Sequence, residues 1–75
     1  MWYELKLTPD EDTLMVTAPA FQEVSSFGET EEDALKYGRL AIEEALAARR
    51  AHGMDIPPSL SKRRKGAYYV SASEA

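Results

Sequence analysis

VTAPAFQEVSSFGETEEDAL, residues 16–35, contains the change from a strand pattern to a helix pattern. Pro19 cannot donate to a β-ladder and therefore ends one predicted strand. EVSSFG (23–28) predicts a short third strand, although its apolar alternation is poor. Thr30 is a favourable helix N-cap, and the three acids that follow it lie where the helix dipole favours negative charge. The acids after Gly28 are therefore explained by helix capping and need no catalytic role.

Two strands are predicted before the third. WYELKLT (2–8) and TLMVTAP (13–19) each place apolar residues at every second position, which is typical of a strand with one buried face. Between them, PDED (9–12) supplies turn residues, so the pair predicts an antiparallel hairpin. The residues expected to share the buried face are Tyr3, Leu5, Leu7, Leu14, Val16 and Ala18.

A long helix is predicted over residues 30–52. Basic residues crowd its C-terminal end, and Gly53 can adopt the left-handed conformation that ends many helices. Gly38 lies inside the apolar stripe, where glycine costs about 1 kcal/mol relative to alanine, so we expect close packing of the helix on the sheet. The apolar stripe at helical spacing consists of Ala34, Leu35, Gly38, Ala41, Ile42, Ala45 and Leu46.

The rest of the chain completes a β-β-β-α-β order. Residues 54–66 contain two consecutive prolines and a basic run, and they predict a loop. AYYVSAS (67–73) is aromatic and β-branched, and it predicts a fourth strand. The expected fold class is α+β, a small sheet with one long helix packed on one face, and the 75 residues are enough for a single domain over 1–75.

Charge is divided unevenly along the chain, whose formal net charge is −4. Residues 1–61 carry twelve acids and five bases, whereas KRRK (62–65) is basic. An acidic body repels nucleic acid and attracts a basic partner. We interpret KRRK as a solvated loop, with a phosphate contact as the other reading.

The chain has few residues of the types that catalyse reactions or bind metal ions. The chain has one histidine and no cysteine, which is too few for zinc ligation or for Cys–His catalysis. His52 is expected at the helix C-terminus, where the dipole favours a positive charge. No glycine-rich phosphate loop is present. We expect no catalytic, metal-binding or cofactor-binding residues, and no enzyme activity.

No segment predicts membrane insertion or export. The N-terminal residues are charged, and no stretch approaches the roughly 20 apolar residues that a spanning helix needs. The sequence therefore predicts a cytoplasmic protein.

The motif spacing of the opening stretch resembles the N-terminal domain of HicB-type antitoxins, a partial RNase-H-like domain. In both, a strand ends at proline, a short strand follows, and a Gly-Glu-Thr triplet precedes an acidic helix start. The positions that align without a gap are Pro19, Gly28, Glu29, Thr30, Asp33 and Ala34. Ala20 stands where the family usually has aspartate, and Gln22 and Glu23 replace its usual Pro-Gly, so an RNase-H-like catalytic role is not expected here.

The resemblance implies a function in protein binding. HicB-type antitoxins bind and neutralise small basic RNA-cleaving toxins of the HicA type, and masking such a toxin is the first hypothesis. A stand-alone phage or mobile-element inhibitor of another host protein, such as a defence nuclease, is the second, and an adaptor that uses KRRK is the third. The acidic residues that we expect to bind the partner are Asp10, Glu11, Asp12, Glu43 and Glu44.

Two further expectations concern assembly and DNA. Family antitoxins usually carry a C-terminal DNA-binding module, and little chain follows the fourth strand, so we expect direct nucleic-acid binding to be absent or weak. One helix can cover only one face of a sheet, which favours a homodimer or a larger assembly. The candidate self-association residues are Tyr37, Leu40, Tyr68 and Tyr69.

Overall fold

A computed structural model describes residues 1–72 of the chain. One antiparallel sheet with the strand order β3-β2-β1-β4 forms the first layer, and a single helix forms the second. The elements are β1 (Trp2–Asp10), β2 (Thr13–Ala18), β3 (Phe21–Gly28), α1 (Glu31–Ala51) and β4 (Tyr68–Ser71). The predicted α+β fold with the order β-β-β-α-β is confirmed. Ser73, at the end of the predicted fourth strand, lies outside the described residues.

The predicted hairpin forms, but β1 is longer than the sequence pattern indicates. β1 continues through Pro9, which pairs with Leu14, to Asp10, which pairs with Thr13, so the turn contains only two residues. β4 pairs with β1 only as far as Leu5. At Pro9, β1 therefore has no neighbouring strand on its β4 side. The N–H group that proline lacks would point to this open side, so Pro9 removes no hydrogen bond from the sheet.

β3 also begins earlier than predicted, at Phe21 instead of residue 23. Its pairing with β2 is regular from Gly28 back to Ser25, and then shifts so that Ala18 pairs with Phe21. Because of this irregularity, the side chains of Phe21 and Val24 both point into the core, although the two residues are three positions apart. This explains why the alternation of this segment looks poor in the sequence.

The predicted helix signals are confirmed. The Thr30 hydroxyl oxygen accepts a hydrogen bond from the Asp33 N–H at 3.1 Å, so Thr30 is the N-cap. Gly53 follows the helix with a φ of 66°. The buried residues of α1 are Ala34, Gly38, Ile42, Ala45 and Leu46, all members of the predicted stripe.

The core lies between α1 and one face of the sheet. Tyr3 and Phe21 are fully buried and pack edge to face, with ring centroids 4.9 Å apart. The Tyr3 hydroxyl donates a hydrogen bond to the Pro57 carbonyl at 2.6 Å, which ties the loop after α1 to the core. The same loop forms hydrogen bonds with the beginning of β1, which β2 does not pair with. Ser59 Oγ accepts a hydrogen bond from the Trp2 N–H, and the Leu60 N–H donates one to the Trp2 carbonyl.

Two glycines allow α1 to approach the sheet closely. A Cβ atom at Gly38 would lie 2.6 Å from Leu5 Cδ1 and 2.8 Å from Val16 Cγ1, so the predicted close packing is confirmed. A Cβ atom at Gly28 would lie 2.6 Å from the Cα atom of Ala34, in the first turn of α1. Backbone atoms cannot move aside as a side-chain tip can, so Gly28 is the less replaceable of the two.

We expect Gly28→Ala to lower the free energy of unfolding by about 1–3 kcal/mol, because the added methyl group displaces the start of α1. Urea unfolding followed by circular dichroism measures this change. Ser25→Ala is the matched control, since Ser25 is exposed on the same strand, and its effect should stay within about 0.5 kcal/mol. Equal stability of the Gly28→Ala variant and the parent protein would contradict this account of the helix–sheet contact.

Candidate protein-binding surface

The turn between β1 and β2 carries three consecutive exposed acids. Asp10 is the last residue of β1, and Glu11 and Asp12 form the turn. Glu11 has a φ of 57°, which is uncommon for a residue other than glycine. The Thr13 hydroxyl donates to the Asp10 carbonyl at 3.0 Å and closes the turn. The structure therefore brings all three acids together at an exposed tip, where they form no ion pair with any described residue.

The two predicted acids on α1 face different directions. Glu43 is half-buried, and its carboxylate lies 3.4 Å from the Arg39 guanidinium one turn earlier. Glu44 is exposed and lines a groove between α1 and β3. Consecutive helical residues project about 100° apart, so the expected Glu43–Glu44 patch is divided. Only Glu44 faces β3.

The groove beside Glu44 runs along the outer edge of β3 and has a volume of about 280 Å³. The helix contributes mainly small side chains to it, and carboxylates stand at its rim. Its lining residues are Glu23, Val24, Ser25, Ala41, Glu44, Ala45 and Ala48.

A second groove, of about 470 Å³, lies at the other end of the β3 edge, next to the hairpin turn. Two large aromatic side chains line it: Phe27 is 49% exposed and Tyr37 is 44% exposed. Carboxylates of Glu29 and Asp33 also line it. Phe27 is not among the site residues that the sequence pattern predicts. Its exposure follows from strand alternation, because Gly28 must face the helix and the preceding residue therefore points to the other side.

One of the rim carboxylates is held by an ion pair. Nε and Nη2 of Arg49 each donate to one carboxylate oxygen of Glu23, at 2.8 Å in both cases. The Arg49 guanidinium also lies 4.9 Å from the ring centroid of Phe21, a cation–π contact. The hydrogen bonds from Arg49 are the largest cause that lowers the pKa of Glu23 to about 2.

The basic KRRK run lies against the opposite face of the sheet. The Arg63 guanidinium is 4.5 Å from the ring centroid of Trp2. Arg64 donates to both carboxylate oxygens of Glu4, at 2.9 Å and 3.1 Å, and its backbone N–H donates to the Tyr69 hydroxyl oxygen at 2.6 Å. The sequence predicts a solvated loop here. Its side chains are exposed, but the two arginines contact the sheet and are less available for phosphate.

The four predicted self-association residues lie in different surroundings. Tyr68 is half-buried, and its hydroxyl donates to the Glu31 carboxylate at 3.2 Å, which raises the pKa of Tyr68. Tyr69 is half-buried as well and accepts the hydrogen bond described above. Tyr37 and Leu40 are each 44% exposed on α1. Self-association through these residues stays a prediction.

Within residues 1–72, no three or more His, Cys, Asp or Glu side chains are grouped so that they could hold a metal ion. No buried side-chain polar atom in the described part of the chain lacks a hydrogen-bond partner. None of the described helices has the length and apolar character needed to cross a membrane.

These features define a class of small α+β domains in which one capped helix covers one face of a four-stranded antiparallel sheet. Within this class, the fold is that of the N-terminal domain of HicB. The chain is similar to the crystal structure of that domain from Burkholderia pseudomallei, with a TM-score of 0.73 and 27% sequence identity, over 97% of this chain and 99% of that chain. The resemblance predicted from the motif spacing is therefore confirmed as a HicB-like domain.

The full Burkholderia pseudomallei antitoxin HicB gives a similar result, with a TM-score of 0.72 and 27% identity over 97% of this chain. The present chain spans 62% of the length of that antitoxin. Comparison with protein-family models and with curated proteins gives no match.

The Glu23–Arg49 pair predicts a specific pH dependence of stability. The pKa of Glu23 is lowered from 4.5 to about 2 in the folded chain, so the pair stabilises the fold above pH 4.5, and this contribution is lost as the pH falls towards 2. We expect Glu23→Gln to lose less stability than the parent protein over that interval, as measured by urea unfolding at a series of pH values. Glu44→Gln, which removes an exposed carboxylate from α1, is the control and should follow the parent curve. Parallel curves for the parent protein and Glu23→Gln would contradict the prediction.

Proposed function

We propose that this protein is an antitoxin-type inhibitor, which binds and neutralises a small basic RNA-cleaving toxin of the HicA type by masking it. The observation that carries this proposal is the similarity to the N-terminal domain of antitoxin HicB along 99% of that domain. In this proposal residues 1–75 act as a single binding domain in the cytoplasm, with no catalytic residue and no cofactor.

The charge of the chain supports a basic partner. Asp10, Glu11 and Asp12 stand at an exposed tip without any ion pair among the described residues, and Glu44 is exposed on α1. Unpaired carboxylates at a projecting turn attract a basic protein at long range and speed its association. Such steering contributes more to the rate and selectivity of encounter than to the lifetime of the complex.

Masking requires only that the inhibitor occupy the surface through which the toxin binds RNA. A toxin that cleaves RNA must itself present positive charge to the phosphate backbone. An acidic domain of 8.4 kDa that binds to this surface neutralises the charge that attracts RNA to the toxin and also prevents RNA from reaching the toxin. No chemical step on the part of the inhibitor is needed.

We expect reversal of the three tip acids (Asp10→Lys, Glu11→Lys and Asp12→Lys together) to slow association with the toxin roughly tenfold or more at low salt. The salt dependence of association should weaken in parallel, and dissociation should change less. The assay is co-expression with the product of an adjacent reading frame that encodes a small basic protein, followed by co-purification, association kinetics and rescue of growth.

The control is the single reversal Asp55→Lys, at an exposed position beyond the C-terminal end of α1. Both variants should unfold at nearly the same urea concentration as the parent, since surface charge changes usually stay within about 0.5 kcal/mol. Rescue that persists unchanged after triple reversal would remove the tip from the interface. If no basic neighbour co-purifies with the parent protein, the toxin partner is wrong and an inhibitor of another nuclease becomes the better hypothesis.

A further inference from the structure

β3 is the longer of the two edge strands of the sheet. The order β3-β2-β1-β4 leaves one side of β3 without a neighbouring strand among residues 1–72. β3 has eight residues, whereas the other edge strand, β4, has four. An unpaired edge displays a row of backbone N–H and C=O groups that can pair with another extended chain.

β3 carries few of the features that normally protect an edge. Its sequence, FQEVSSFG, contains no lysine and no proline, and its one charged side chain, Glu23, is held by Arg49. The irregular pairing with β2 is confined to the beginning of the strand, and from Ser25 to Gly28 the pairing is regular. Natural proteins usually block exposed edges with charges, prolines or bulges, so a regular and unblocked edge is suited to accept a strand.

Grooves at both ends of the edge provide room for the side chains of an added strand. Side chains of a strand alternate between its two faces and repeat on one face about every 6.6 Å. Beside the first part of β3, the helix presents Ala41, Ala45 and Ala48, whose small side chains leave space above the edge. Beside the last part, Phe27 and Tyr37 present exposed rings.

Charge determines which occupant fits these grooves. Their lining residues include four acids and no base: Glu44 and Glu23, which is paired with Arg49, in the first groove, and Glu29 and Asp33 in the second. A second copy of this chain that paired antiparallel through its own β3 would bring like charges together, which is unfavourable across paired strands. A chain with lysine or arginine would place cations beside carboxylates and over the aromatic rings. The edge is therefore complementary to a basic segment and not to itself.

We propose that an extended basic segment of the partner protein pairs with β3 as a fifth strand, with its helix-side side chains in the first groove, between β3 and α1, and its far end beside the second groove. The inference rests on the proposed function for the basic character of the partner, and it adds the location and the conformation of the bound segment. The hairpin tip adjoins the second groove through Thr13. The tip acids then attract the partner, and the β3 edge holds it.

The test uses a synthetic ten-residue peptide of alternating lysine and valine, acetylated and amidated at its ends. A peptide of the same composition with all lysines in one half has the same charge without strand alternation. We expect the alternating peptide to bind at least tenfold more tightly by fluorescence anisotropy. We also expect it to protect backbone amides of β3 from hydrogen exchange, which charge attraction alone would not do.

Two matched substitutions on α1 test the first groove. Ala48→Trp fills the groove, whereas Ala47→Trp adds the same side chain at an exposed neighbouring position outside it. We expect Ala48→Trp to weaken binding of the alternating peptide at least tenfold and Ala47→Trp to change it less than twofold. Equal binding of the two peptides, unprotected β3 amides, or equal effects of the two substitutions would each overturn the inference. Protected β3 amides in a dimer of the free protein would identify a second copy as the occupant and overturn it too.

The same variants separate this inference from the proposed function. If Ala48→Trp still neutralises the toxin in co-expression, the β3 edge is not the toxin-binding site, although the antitoxin role stands. If the peptide binds to β3 of the parent protein as expected but no toxin is neutralised, the edge accepts a basic strand and the antitoxin role is wrong.

Discussion

The close approach of α1 to the sheet is the constraint on which the rest of the structure depends. At Gly38 there is no room for a Cβ atom beside Leu5 and Val16, and at Gly28 there is none beside the backbone of Ala34. A chain of 75 residues buries a smaller share of its surface on folding than a larger one does, so α1 must lie close to the strands to form a core. Small residues at the centre of the contact make this possible.

This contact also determines which surfaces remain open. α1 lies mainly over β3 and β2, and contacts β1 and β4 less. The β1–β4 end is covered instead by the loop after the helix, which is anchored by the hydrogen bond from Tyr3 to Pro57 and by the stacking of Arg63 on Trp2. Among residues 1–72, no strand pairs with the outer side of β3. The position of the helix therefore leaves the edge that we propose as a binding site.

The sequence predicts features that depend on near neighbours along the chain and misses those that depend on distant segments. The Thr30 cap and the packed Gly38 follow from helical periodicity, and the exposed acidic tip follows from the turn residues of the hairpin. The continuation of β1 through Pro9 depends on how far β4 reaches, and the contact of Arg64 with Glu4 depends on the path of a long loop. The acid-lined edge was missed because it requires the order of the strands, which no local pattern contains.

The location of the negative charge follows from the same geometry. In the described part of the chain, three arginines form ion pairs with acids: Arg39 with Glu43, Arg49 with Glu23, and Arg64 with Glu4. Two of these pairs join segments far apart in the sequence, so the fold, and not the composition, decides which acids are neutralised. The three acids of the hairpin tip are exposed and join none of these pairs, so their negative charges remain uncompensated at the end of the sheet where β3 meets the hairpin. In the function that we propose, these charges attract the basic partner towards the β3 edge.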